Sequence, residues 1–135
     1  VERTVQKIIK ELNQNNLDYI LSYQSRVGPL KWIGPSTDDV IVESSKSGKS
    51  IILVPIAFVS EHSETLVELD IEYKKLAKDN GCKNYNRVPA LGTNKNYIKG
   101  LSKLIINKEE YKFKKNLYSP KKQCLSKFNK CPCYQ

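Results

Sequence analysis

Residues 50–54 read SIILV, and this run decides the fold class because no polar residue alternates with its apolar ones. A strand of that kind is buried on both faces, as in a parallel sheet covered by helices on each side. Residues 60–80 follow with apolar side chains at helical spacing, and Gly81 ends that helix. The run therefore predicts the central strand of a parallel α/β sheet.

The helix predicted at 60–80 has an apolar side and an acidic side when its residues are placed about 100° apart. The apolar side carries Leu66, Leu69, Tyr73, Leu76 and Ala77. The acidic side carries Glu61, Glu64, Glu68 and Glu72. We therefore expect one side to pack on the sheet and the other to face solvent or a ligand.

The same alternation extends through the chain. Helices are predicted over residues 2–15, from a cap at Ser36 or Thr37 to Gly48, and over 96–106, with further strands over 17–23 and 85–90. The order α-β-α-β-α-β-α predicts an α/β fold of three layers, an open parallel sheet with helices on both faces.

Length and charge limit the function classes. A chain of 135 residues holds one core, which excludes a multidomain enzyme, and its apolar runs fall short of the ~20 residues of a spanning helix. Residues 1–90 carry 12 basic and 12 acidic residues, whereas 91–135 carry 11 lysines and two glutamates. This basic tail suits an anionic partner, such as nucleic acid or a membrane surface, or is a plain solvated extension.

Two segments follow predicted strands, where parallel sheets bind ligands. The loop at 24–35 presents Val27 and Trp32 among glycines and prolines, and a lone tryptophan there is either core or a ligand platform. The segment at 56–66 holds His62, the only histidine, beside Glu61 and Glu64. The residues alone leave two readings open, a solvated acidic face or a site that attracts a cation.

Three of the four cysteines, Cys124, Cys131 and Cys133, lie in the last twelve residues. Such a terminal cluster indicates thiolate ligands for zinc or an iron–sulfur centre more readily than a disulfide framework, although C-x6-C-x-C is not a standard spacing for either. Cys82, at a turn, is predicted to be structural.

Two blocks carry a family resemblance: residues 23–39, YQSRVGPLKWIGPSTDD, and residues 52–73, ILVPIAFVSEHSETLVELDIEY. They closely resemble ferrochelatase, the terminal enzyme of haem synthesis, which inserts Fe²⁺ into protoporphyrin IX, and the likeness covers about residues 3–105. The resemblance is to the animal mitochondrial and alphaproteobacterial type. It implies the second half of the two-domain chelatase-like fold at 1–108 and a basic, cysteine-bearing extension at 109–135.

The resemblance also implies residue roles. His62 and Glu64 match the His-x-Glu of the family's active site as catalytic residues and ligands on the metal path, with Glu64 as the proton acceptor, and Glu68 continues an acidic rail. Val27, Trp32 and Phe58 would line the porphyrin slot. Cys124, Cys131 and Cys133 would ligate a [2Fe-2S] cluster.

The expected partners are protoporphyrin IX, ferrous iron and an amino-terminal half that carries another catalytic histidine, so the 135-residue chain alone is expected to be inactive. The resemblance is compatible with a homodimer and with peripheral attachment at the matrix side of the mitochondrial inner membrane, or with a bacterial cytoplasm; it implies no nucleic-acid partner.

Two features depart from the family pattern. Lys103 stands where an acidic residue is expected, and the family's cysteine spacing is C-x2-C-x4-C. The alternatives to an enzyme are a non-catalytic remnant or porphyrin- or metal-binding module, and a basic-tailed protein that binds nucleic acid or an anionic membrane.

Overall fold

The computed structural model describes residues 1–14, 16–24, 28–29 and 33–106. The contacts within the chain divide it into two parts, and the boundary lies after Gly92. The first part contains α1 (Glu2–Leu12), α2 (Thr37–Lys46), β1 (Ile51–Leu53), a π-helical segment (Glu64–Glu72) that continues into α3 (Tyr73–Asp79), and β2 (Tyr85–Arg87). The second part contains α4 (Lys95–Ile106). The predicted boundary at 108/109 lies outside the described residues.

The two strands form a parallel pair, with Ile51 opposite Tyr85 and Leu53 opposite Arg87. The Ile51 N–H donates to the Asn84 carbonyl and the Val88 N–H donates to the Leu53 carbonyl, both at 2.8 Å. The chain between them passes through the π-helical segment and α3, as a parallel connection requires. The α/β class with a parallel sheet is therefore confirmed.

The predicted start and stop of α2 are also confirmed. The Ser36 hydroxyl accepts a hydrogen bond from the Asp39 N–H at 3.2 Å, and Asp38 and Asp39 lie in the first turn, where the helix dipole favours negative charge. Gly48 follows the last turn with φ 72°, a left-handed conformation that glycine adopts without steric cost.

The strand predicted at 17–23 is wrong over the described residues. Only Tyr23 pairs, in one parallel bridge to Ser36, while Tyr19 and Ile20 are exposed. The Tyr23 N–H donates to the Pro35 carbonyl at 2.9 Å, and its carbonyl accepts from the Thr37 N–H at 3.1 Å. The residues of this run favour a strand, but a strand forms only where a neighbouring strand pairs with it along its length.

The expectation that residues 50–54 are buried on both faces is also wrong. Ile51 and Leu53 pack on the core, but Ile52 is 70% exposed. Side chains alternate along a strand, so Ile52 points to the opposite face. There it lines a cavity whose wall also includes the apolar side of α1.

The core consists of Ile41, Leu69, Tyr73 and Ala77. Thr65 continues the same buried line, whereas Leu66, predicted to be inside, is 50% exposed. Thr65, Leu69, Tyr73 and Ala77 recur every four residues, which keeps them on one side of the continuous π-helical and α-helical segment. The helix also begins at Glu64, after Ser63, and not near Ser60.

The second part shows the predicted last helix. The Asn94 side-chain oxygen accepts hydrogen bonds from the N–H groups of Asn96 (2.9 Å) and Tyr97 (3.4 Å), which caps the start of α4. Lys103 is exposed near its end. None of the helices in the described ranges has the length and apolar character needed to cross a membrane.

Candidate functional site

The turn that begins the π-helical segment is fixed by reciprocal hydrogen bonds between His62 and Thr65. The His62 N–H donates to Thr65 Oγ1, and the Thr65 hydroxyl donates to the His62 carbonyl, both at 2.9 Å. Thr65 is fully buried, so both bonds are shielded from water. The arrangement resembles a capping box, in which a side chain satisfies backbone groups at a helix start.

The His62 ring has a defined orientation. Its Nδ1 accepts a hydrogen bond from the Glu64 N–H at 3.2 Å, and its ring lies edge-on to Phe58 with centroids 4.6 Å apart. With Nδ1 used as an acceptor, the neutral ring carries its proton on Nε2. His62 therefore stands between a helix start and an aromatic side chain, with Nε2 as the remaining nitrogen.

Phe58 lines an apolar cavity of about 430 Å³ between α1, residues 17–24 and β1. Its lining is mainly aliphatic, with a few polar groups that include Tyr23 and Gln24. A mostly apolar cavity with a few polar groups is the usual form of a small-molecule site. The ring contact with Phe58 places His62 beside a residue that lines this cavity.

Glu68 is held by two neutral donors. The Tyr73 hydroxyl donates to Glu68 Oε1 at 3.0 Å, and the Gln24 amide donates to Oε2 at 3.4 Å. Burial, together with the nearby carboxylates of Asp38 and Glu68, raises the pKa of Tyr73 far above its usual value, so the phenol keeps its proton. Gln24 also lines the cavity, which connects the surroundings of Glu68 to it.

The predicted acidic side does not behave as one surface. Glu64 is half-buried in the first π-helical turn, Glu68 bonds to Tyr73, and Glu72 is exposed. Glu61 turns to another partner: its Oε1 accepts from Arg87 Nη1 at 3.0 Å and from the Ala90 N–H at 2.8 Å. The four carboxylates therefore have different surroundings, and Glu61 is bound by Arg87.

Sequence reasoning missed Arg87. Its side chain is only 8% exposed and forms a fork on Asp70, with Nε to Oδ1 at 2.6 Å and Nη2 to Oδ2 at 2.7 Å. The Thr65 hydroxyl, the Arg87 guanidinium and the Ala90 N–H, all polar groups near its carboxylate, lower the pKa of Glu61 to about 2, and Arg87 also lowers the pKa of Asp70. A lone arginine in a predicted strand could have indicated this group.

The other predicted site residues are only partly accounted for. Val27, Trp32 and the cysteines Cys124, Cys131 and Cys133 lie outside the described residues. In the described part of the chain, no group of three His, Cys, Asp or Glu side chains is arranged to hold a metal ion. Cys82 packs against the core, with Sγ 3.2 Å from the Asn84 carbonyl and 3.4 Å from that of Lys49, as expected of a structural cysteine.

These features define an α/β domain whose histidine and carboxylates follow a parallel strand beside an apolar cavity, where such folds bind ligands. A family model described as Ferrochelatase matches residues 1–109. The chain belongs to the ferrochelatase family.

Three bacterial ferrochelatases are similar to the chain. The chain is 73% identical to a ferrochelatase of Pelagibacter ubique over 98% of its length, and 52% and 51% identical to ferrochelatases of Rickettsia bellii and Rickettsia typhi over 99% and 98%. It spans 39%, 38% and 39% of the length of these relatives. The relatives agree with the alphaproteobacterial type expected from the sequence.

Proposed function

We propose that this chain forms the part of a ferrochelatase that carries His62, Glu64 and Glu68, and that the complete enzyme inserts Fe²⁺ into protoporphyrin IX. The observation that carries the proposal is the position of His62: its ring lies against Phe58 at the apolar cavity, and its Nδ1 is tied to Glu64. An apolar space beside a base and carboxylates suits a flat apolar substrate that must lose protons.

The reaction needs acceptors for protons as well as a place for the metal. Two pyrrole protons leave as Fe²⁺ binds the four nitrogens, so one dication enters and two protons depart. Glu64 is the proposed proton acceptor on this path. His62 can join it as a base or an iron ligand only in the tautomer whose Nε2 is unprotonated, in which Nδ1 no longer accepts from the Glu64 N–H. Glu68, held by Tyr73 and by the cavity-lining Gln24, is proposed to continue this path along the helix. These groups would also replace water lost from the entering iron.

The porphyrin itself is proposed to lie against Phe58, with Val27 and Trp32 completing the slot. Because the chain spans about two fifths of its relatives, we propose that the remaining length supplies the opposite side of the cleft. Catalysis depends on holding both reactants in place, so the 135-residue chain alone should show no turnover.

The terminal segment is a separate proposal. The relatives align over 98–99% of the chain, while the family model ends at residue 109, which supports a half-domain at 1–108 and an extension at 109–135. Cys124, Cys131 and Cys133 offer three thiolates, so a [2Fe-2S] cluster needs a fourth ligand from elsewhere. No step of the proposed reaction passes through such a cluster.

Location and assembly also remain proposals. The bacterial relatives support the bacterial cytoplasm over the mitochondrial inner membrane. Peripheral membrane attachment and a homodimer remain predictions from the family resemblance.

The test uses the protein expressed from its complete reading frame, with Fe²⁺ and protoporphyrin IX. We expect Glu64→Gln to lower kcat about 100-fold, as the loss of a general base does, and to change porphyrin affinity by less than about twofold. Glu72→Gln is the matched control, because it removes an equal charge from an exposed position on the same helix. Equal losses of rate and affinity at Glu64, or a larger loss at Glu72, would contradict the assignment.

His62→Asn separates two roles of that residue. Asparagine keeps an acceptor for the Glu64 N–H and so preserves the helix start, but it removes the ring nitrogen. We expect folding to be retained and the rate to fall about as far as in Glu64→Gln, by the same loss of a proton-transfer group. Porphyrin binding without insertion in the wild-type protein would favour the binding-module alternative.

A further inference from the structure

Arg87 is a largely buried cation outside the proposed site, and it bonds to two carboxylates at once. It leaves β2 with 8% of its side chain exposed, forks onto Asp70 at 2.6 and 2.7 Å, and reaches Glu61 at 3.0 Å. We call this group of three residues the Arg87 clamp. Charge-assisted and bidentate bonds of this kind are the strongest hydrogen bonds that side chains form.

The two carboxylates of the clamp lie at the two ends of one stretch of the chain. Glu61 directly precedes His62, and Asp70 lies near the far end of the π-helical segment. The stretch 61–70 between them contains His62, Glu64 and Glu68, the three proposed catalytic residues. Glu61 is further tied to the backbone after β2 through the Ala90 N–H at 2.8 Å. The clamp therefore fastens both ends of this stretch to β2.

We propose that Arg87 is a positioning residue for metal insertion, which acts through Glu61 and Asp70 to hold the 61–70 stretch in register with β2. This inference rests on the proposed function of His62, Glu64 and Glu68. In this proposal Arg87 contacts neither porphyrin nor iron. Arg87 affects the rate because it fixes the positions of other groups.

A guanidinium suits this role better than an ammonium group. Its planar fork fixes the orientation of Asp70 while a third N–H reaches Glu61, whereas a lysine offers one compact charge on a flexible stem. A π-helical segment is also an uncommon backbone that its surroundings must maintain. A displacement of about 1 Å in reacting groups can cost up to about 100-fold in rate.

Glu61 acts here as a fixed anion and not as a proton acceptor. Its Oε1 already accepts hydrogen bonds from Arg87 Nη1 at 3.0 Å and from the Ala90 N–H at 2.8 Å, so it is poorly placed to take a proton from a substrate. The pH profile of the rate should therefore keep its shape when Glu61 is replaced, because no titrating group of the reaction is removed.

The experiment compares Arg87→Lys, Glu61→Gln, Asp70→Asn and the Arg87→Lys/Glu61→Gln double variant in the complete protein. We expect each single variant to lower kcat about tenfold, within the range that misplacement of reacting groups produces, with porphyrin KM changed less than about twofold. The double variant should be no slower than the slower single variant, because both changes release the same contact.

The matched control is Asp79→Asn, which breaks the exposed Lys75–Asp79 pair of 2.7 Å beyond the 61–70 stretch. Its kcat should stay within about twofold of the wild type, as expected for an exposed pair. Circular dichroism and the urea midpoint report whether each variant is folded. If Arg87→Lys does not fold, the two carboxylate variants decide the question.

The proposal is overturned if folded Glu61→Gln and Asp70→Asn keep the wild-type kcat, if kcat and KM change together as general loosening would make them, or if the double variant shows the product of the single losses. The same assay distinguishes the two levels of inference. An inactive wild-type protein contradicts the proposed function, whereas an active wild type with unaffected clamp variants contradicts the clamp alone.

Discussion

Two carboxylates on the same stretch, Glu61 and Glu68, have very different partners. Glu61 accepts hydrogen bonds from a guanidinium and a backbone N–H, while Glu68 is held by the neutral Tyr73 phenol and Gln24 amide. Within the described part of the chain, Glu68 forms no ion pair. A guanidinium balances the charge of the carboxylate that it holds, whereas neutral donors orient a carboxylate without adding an opposite charge. The comparison supports the proposal that Glu61 holds the backbone in place and that Glu68 takes part in metal insertion.

The largest effect on the rate is expected at Glu68, and a small effect there would contradict the comparison. Glu68→Gln retains an oxygen that accepts from Tyr73 but removes the charge, so we expect kcat to fall about 100-fold, as for other groups that transfer protons. Porphyrin affinity should change by less than about twofold. Stopped-flow absorbance of the complete protein would measure both. A fall no greater than in Glu61→Gln would place both carboxylates in the same structural role.

A smaller effect is expected from the hydroxyl that holds Glu68. Tyr73→Phe keeps the ring in the core and removes the bond to Glu68 Oε1, whereas Tyr85→Phe removes a 2.7 Å bond to the Leu69 carbonyl. We expect the free energy of unfolding to fall about 2 kcal/mol for Tyr73→Phe and about 1 kcal/mol for Tyr85→Phe, since a charged acceptor forms the stronger bond.

The two tyrosine variants differ more clearly in activity. Tyr73→Phe should slow insertion about fivefold by freeing the Glu68 carboxylate, and Tyr85→Phe should leave the rate within about twofold of the wild type. Urea titration and steady-state assays measure the two effects separately. Equal rates in both variants would show that the phenol contributes to stability alone.

Local patterns predicted much of the fold. Ser36, the acidic first turn and Gly48 are adjacent in sequence to the helix they bound, and this made α2 predictable. The strand predicted at 17–23 is wrong because a strand forms only beside a neighbouring strand, which the residues of this run do not specify. The predicted burial of Ile52 is wrong for a related reason, because it depends on how closely α1 packs across the cavity.

The candidate site also contains contacts that the sequence predicts and contacts that it does not. His62 and Glu64 are two residues apart, so their association through the Glu64 N–H is local. The sequence predicts Tyr73 as a core residue but not its hydroxyl bond to Glu68, because that bond spans five residues and depends on the π-helical turn. Arg87 lies 26 and 17 residues from its partners, and only the fold brings them together. No spacing rule for an α-helix predicts these contacts.

The smallest expected effect is the dependence of stability on the ionisation of Glu61. Its pKa is about 2 in the folded protein against a usual value of 4.5, so the folded state binds its proton less readily than the unfolded state. A carboxylate with a lowered pKa stabilises the fold above its unfolded value and loses this contribution as the pH falls through the folded value. The contribution of Glu61 should thus be constant from pH 7 to about 5 and decline between about 4.5 and 2.

The difference in unfolding free energy between wild type and Glu61→Gln isolates this contribution, because the other carboxylates titrate in both proteins. Urea titrations at intervals from pH 7 to 2.5 should give a constant difference at first and a shrinking one in acid. Because Glu61 is partly open to solvent, added salt should reduce the difference at neutral pH. A difference that stays level down to pH 2.5 would mean that Thr65, Arg87 and the Ala90 N–H do not hold Glu61 as an anion, and the distinction between Glu61 and Glu68 would then lose its electrostatic basis.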